Sequence, residues 1–173
     1  MIKKILLILL VILVVIQFFH PAKNQASGEQ PNSIARVYTV SPEVKTILDK
    51  ACMDCHSNNT IYPWYSKIQP VDWWMDNHIR EGKHDLNFDE FASYSPRRQY
   101  RKLEQVMKQV KEGEMPLNSY TWIHKNAILT DAEKATLTQW AQGIRTNLEG
   151  KYPADSLSPP KRPGEGPGGE PHQ

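Results

Sequence analysis

At 173 residues the chain is long enough for one compact domain with appendages, and two full domains are not needed to account for it. Lys+Arg 21 against Asp+Glu 19 gives a net charge of +2, and setting aside Lys3 and Lys4 leaves the two signs balanced, without the basic excess that a nucleic-acid binder requires. Both of the 2 cysteines fall in one pentapeptide, Cys52-Met53-Asp54-Cys55-His56, which excludes the disulfide framework of a small secreted fold.

In chain order, Lys3 and Lys4 precede an apolar run from Ile5 to Phe19, interrupted only by Gln17, and His20-Pro21 stops any helix. As a helix the run is roughly 22 Å long against a hydrocarbon core of about 30 Å, between a cleaved signal and an anchor. No small-x-small cleavage site follows it, since Asn24 stands where a small residue is wanted before Ala26. Residues 1–20 are therefore expected to be an uncleaved signal anchor and transmembrane helix. With Lys3 and Lys4 held inside, the expected placement is single-pass in the cytoplasmic membrane, with the domain on the periplasmic side. Residues 21–41 are polar and lose hydrophobic period, as a tether does.

From residue 42 to 150 the period is helical throughout, and no segment alternates with period two. Val44, Ile47, Leu48 and Ala51 form the first stripe after Pro42, so that the first cysteine closes a helix. Val71, Trp74, Met75, His78 and Ile79 form a second stripe after Pro70, with Gly82 as its expected stop. Leu103, Val106, Met107 and Val110 form a third between Ser95-Pro96 and Gly113. Thr130 and Glu133 make a capping box for a last helix that turns Leu137, Trp140, Ala141, Ile144 and Leu148 inward. Residues 151–173 are dominated by Pro, Gly and charge and are expected to be a disordered tail. The expected fold class is an all-α, cytochrome c-like helical domain.

The pentapeptide carries the chemistry. In Cys-x-x-Cys-His two thiols can add to the two vinyl groups of one haem, and the adjacent histidine then lies under the iron. Cys52 and Cys55 are thus candidate attachment points for one covalent haem c, and His56 is the candidate proximal ligand. A thioredoxin-like dithiol would need a strand before the motif, and a structural zinc site a second ligand pair at metal spacing; neither pattern is present. For the sixth iron position the best candidate is Met115, in Gly113-Glu114-Met115-Pro116, and the runner-up is His78. Met75 and Met107 sit at helical spacing and read as core filler. His84 and His124, in polar loops, read as solvated. Tyr62, Trp64 and Trp74 are candidates for the apolar wall that a porphyrin needs.

Taken together these pieces resemble the haem-binding domain family of small, membrane-anchored c-type cytochromes. The matching residues are Cys52-Met53-Asp54-Cys55-His56, Tyr62-Pro63-Trp64-Tyr65, Pro70-Val71-Asp72-Trp73-Trp74, His78-Ile79, Leu86-Asn87-Phe88, Gly113-Glu114-Met115-Pro116 and the helix containing Trp140. The resemblance implies haem binding with Cys52 and Cys55 as attachment points and His56 as proximal ligand. It names no redox partner.

The expected function is one-electron transfer on the outer side of the membrane, to periplasmic or membrane redox proteins, with Lys50, Lys67, Lys102 and Lys108 as candidates for a docking rim. A haem peroxidase, which would need an open iron position with distal groups such as His78 and Arg80, and a redox or gas sensor with a displaceable ligand are the alternatives. A carrier is expected rather than an enzyme.

Overall fold

The computed structural model describes residues 1–158, and every regular element among them is helical. Helix α1, Ile2–Ile16, comes first and α2, Ile34–Val37, is a single turn. Helix α3, Pro42–Ala51, starts where Ser41 accepts the Val44 N–H and Pro42 sets the first helical φ. It stops at Cys52, and the motif then makes its own short turn, α4, Met53–His56. Helix α5 is Val71–Asp85, and α6, Pro96–Glu112, is capped by Ser95 at its start and by Gly113 in the left-handed conformation (φ 75°) at its end. A short α7, Asn118–Thr121, leads to α8, Asp131–Lys151, whose start carries the Thr130–Glu133 capping box, and to α9, Ala154–Leu157.

The core lies chiefly between α3, α6 and α8. Val44, Ile47 and Leu48 meet Leu103 and Val110 of α6 and Leu137, Ala141, Ile144 and Leu148 of α8, with Phe88 and Phe91 from a 3-10 turn at Phe88–Ser93. Each such side chain contributes about 1.5–3 kcal/mol by leaving water. This core holds α3 firmly and so fixes the place where Cys52 begins the motif.

The N-terminal expectation does not survive. Helix α1 has 15 residues, about 22 Å at the helical rise, and among the described residues no helix is long and apolar enough to cross a membrane. The expected transmembrane signal anchor, the membrane as a partner, and the single-pass placement with a periplasmic domain all rested on that helix and are overturned with it. None of the side chains of α1 is buried against the domain.

The segment read as a tether is instead laid onto the domain by hydrogen bonds, which leave no hydrophobic period to read. Asn24 donates from Nδ2 to the Ser57 carbonyl (3.0 Å) and to Thr60 Oγ1 (2.9 Å), and its backbone N–H donates to Tyr62 Oη (2.8 Å). Ile34 is buried in the core. At the other end, Leu157 of α9 is also buried in the core, inside the stretch expected to be disordered; residues 159–173 of that stretch lie outside the described residues.

Candidate functional site

Helix α3 delivers Cys52 to the edge of a cavity of about 350 Å³, and Cys55, His56, His78, Met115, Leu117 and Tyr120 line it as well. Two smaller cavities adjoin it through shared residues. One, of about 80 Å³, is bounded by Trp74, Met75, Ile79, Ile123 and His124 beside Cys55; the other, of about 40 Å³, by Phe88, Lys102, Gln105 and Val110 beside Cys52, His56 and Met115. Cofactor sites commonly enclose about 300–1,000 Å³ behind mostly apolar walls, and this composite space is of that kind.

The orientation of His56 is fixed by its neighbours. Its Nδ1 lies 2.8 Å from the Leu86 carbonyl and 3.0 Å from the Gly82 carbonyl. Carbonyls only accept, so Nδ1 carries the hydrogen and Nε2 keeps a free lone pair, the form in which histidine ligates a metal. The T-shaped contact with Phe88, ring centroids 6.4 Å apart, holds the plane of the ring.

Gly82 is what allows this. A Cβ at that position would stand 2.8 Å from the Cys55 carbonyl oxygen and 3.2 Å from Cys55 Cβ. The residue expected to end the second helix is therefore inside α5, which runs on to Asp85, and it serves as the flat spot on which α4 rests. That close approach brings the carbonyls of Gly82 and Leu86 within reach of the imidazole.

Asp54 pins the motif from the other side. Its Oδ2 accepts from Tyr120 Oη (2.7 Å), its Oδ1 from the Ile61 N–H (3.0 Å), and its carbonyl from Thr60 Oγ1 (2.6 Å). Burial first, and then the bond to Asp54, holds the Tyr120 phenol far above the ordinary range, so it remains a donor. Tyr120 stacks on His124, with centroids 4.3 Å apart, and Tyr65 Oη lies 2.6 Å from His124 Nε2. His124 is thus part of the wall, contrary to the expectation that it is solvated.

The two thiols are free, and both are pushed up: Cys52 to about 12 by burial and then by Cys55, and Cys55 to about 11 by burial and then by Asp54. A dithiol redox centre works through a lowered thiolate pKa, so this pair is unsuited to that chemistry. Among the described residues no three His, Cys, Asp or Glu side chains converge as a metal-binding group.

Of the residues singled out from the sequence, the structure gathers Cys52, Cys55, His56, Met115 and His78 around one cavity, with Trp74 in the adjoining one. Tyr62 and Trp64 do not join them. The Tyr62 ring lies under Lys23 Nζ (4.4 Å), and Trp64 is 75% exposed. Met115 is held by its backbone, since its own N–H (3.3 Å) and that of Glu114 (2.9 Å) both donate to the Gln109 carbonyl at the end of α6. His78 donates from Nδ1 to the Trp74 carbonyl (2.8 Å). Within the expected lysine rim, Lys102 is buried and Lys50 is paired with Glu133 (2.6 Å). Asp54, Gly82, Leu117, Tyr120 and Lys102 carry no local sequence signal for their roles, because each acts through a contact with a distant segment.

These features suit a haem. The paired thiols and the braced imidazole of His56, with its Nε2 free, form a donor set for that group, and the apolar walls suit its macrocycle. A family model described as a haem-binding domain matches residues 11–143. No curated protein and no solved structure matches the chain.

Proposed function

We propose, from the premise that the chain belongs to the haem-binding domain family, that it is an electron carrier holding one haem c through thioethers to Cys52 and Cys55, with His56 as proximal ligand and Met115 as the sixth. The observation that carries this reading is the braced imidazole of His56, whose Nδ1 is engaged by two backbone carbonyls while the ring lines the cavity shared with both thiols and Met115. When bound, haem supplies a one-electron iron couple.

The residues of the chain supply the rest. The carbonyls of Gly82 and Leu86 fix the tautomer of His56 and prevent the ring from turning. Asp54 and Tyr120 hold the motif turn so that both thiols stay at the cavity edge. The apolar wall excludes water, which disfavours the more charged oxidised state and raises the potential, in the same direction as a thioether ligand.

Met115 is favoured over His78 by the origin of each residue. His78 is one turn before Gly82 on α5, the helix that braces His56, whereas Met115 comes from a separate segment after α6 and lines both cavities that His56 and Cys52 border. A ligated sixth position favours a carrier over a peroxidase or a sensor.

The test is the absorption spectrum of protein made with haem-attachment machinery, compared with Met115→Ala and His78→Ala. The expected result is a sulfur-to-iron band that is lost in Met115→Ala and kept in His78→Ala. A high-spin spectrum in all three proteins would remove Met115 from the iron and favour the enzyme or sensor reading.

A further inference from the structure

We propose that Lys102, with Gln105 beside it on α6, forms the binding edge for a haem propionate carboxylate; this rests on the haem reading above. The two residues are three apart and so share one face of the helix. Both line the cavity that also touches Cys52, His56 and Met115. The Lys102 side chain is 7% exposed, and among the described residues its ion-pair partner is Asp85 (2.5 Å), whose side chain is 60% exposed.

That pairing is lopsided. Water can serve the exposed Asp85 carboxylate, but a lysine so deeply buried depends on an anion next to it. Gln105 Oε1 is buried with no hydrogen-bond partner among the described residues, and a buried acceptor left so is destabilising unless something comes to meet the amide. A half-turn of that amide points its N–H groups at the same space. A cationic head and an unanswered amide stand at the edge of a cavity whose apolar wall is Leu86, Phe88, Val106 and Val110 and whose rim also carries Asp85, and together they define a site for a carboxylate on an apolar body. Haem is such a molecule, apolar in its macrocycle and anionic at its two propionates. With a propionate bound, Lys102 is shared between it and Asp85, and the buried charge and the buried amide are both satisfied.

The experiment uses the holoprotein and three variants, Lys102→Gln, Lys102→Arg and Asp85→Asn. Resonance Raman spectra report the propionate bending mode, and potentiometry across the neutral pH range reports the midpoint. In Lys102→Gln the propionate mode shifts, and the midpoint falls and becomes more pH-dependent, because the carboxylate loses its cation and takes up a proton more readily. Lys102→Arg keeps the wild-type mode and midpoint, and Asp85→Asn keeps the mode. A purely structural Lys102–Asp85 pair would make Lys102→Gln and Asp85→Asn equivalent with the propionate mode unmoved, and that result overturns the assignment while leaving the haem intact. Absence of covalent haem from the wild type would instead overturn the reading on which it rests.

Discussion

Gly82 and His56 illustrate how one missing side chain can set the chemistry of another. Alanine is intrinsically the better helix former, by about 1 kcal/mol, so Gly82→Ala in isolation would strengthen α5. Here the added methyl group meets the Cys55 carbonyl oxygen at 2.8 Å, and neither backbone can yield without moving the motif. We expect Gly82→Ala to destabilise the fold by about 1–3 kcal/mol, as overpacking does, and to lower the yield of covalent haem by moving the carbonyls that orient His56. Urea unfolding of the unloaded protein together with haem yield checks this, and a variant as stable as wild type with full haem content would contradict it. The buried thiols belong to the same scale. Held protonated at neutral pH by burial, they are poor metal thiolates.

At the scale of elements, the segment between α1 and α3 ties the start of α5 to the loop that follows the motif. Asp72, 1% exposed, is its anchor, with Lys23 Nζ at 2.6 Å and His20 Nδ1 at 2.7 Å. Burial alone would raise the Asp72 pKa, but the hydrogen bonds from Lys23 and His20 outweigh it, and the carboxyl is held below its ordinary value. The sign of the linkage follows. The contribution to stability is present above the unfolded pKa of about 3.9 and is lost as the pH falls through the lower, folded value. Asp72→Asn should therefore lower stability by about 1–3 kcal/mol at neutral pH, with the gap to wild type closing in acid. Thermal unfolding measured across the acid range reads both. A gap that does not change with pH would show that the carboxylate charge is not what holds the segment. The helices themselves are legible in the sequence where their signals are local: Pro42, Ser95-Pro96, Gly113 and the Thr130–Glu133 box all act within one turn. The stop expected at Gly82 was misread because a glycine inside a helix looks the same in sequence whether it ends the helix or admits a neighbour. Trp74, on an apolar stripe, is 48% exposed because that face of α5 borders a cavity, not the core.

For the molecule as a whole, the all-α class and the motif were readable, whereas the folded chain between α1 and α3 and the buried Leu157 were not. Polar segments that dock by hydrogen bonds leave no period to detect, and a lone leucine in a Pro-rich stretch gives no sign of what it packs on. Likewise Lys102 reads as a surface lysine until α6 turns it toward the cavity. Because α1 buries no side chain against the domain, deleting residues 2–16 should change the stability of the rest by no more than about 0.5 kcal/mol, which is the range for changes outside packed features. Urea unfolding of the shortened chain measures this, and a larger loss would mean that α1 packs on the domain in solution. Covalent bonding of one haem through both cysteines is the proposal on which the other roles depend. Its most direct test is the intact mass of the denatured protein, made with haem-attachment machinery, for wild type and for the Cys52→Ser/Cys55→Ser double variant. A gain of one haem mass in the wild type that withstands denaturation and is absent from the double variant is the predicted result; a wild-type chain at its polypeptide mass alone would contradict it.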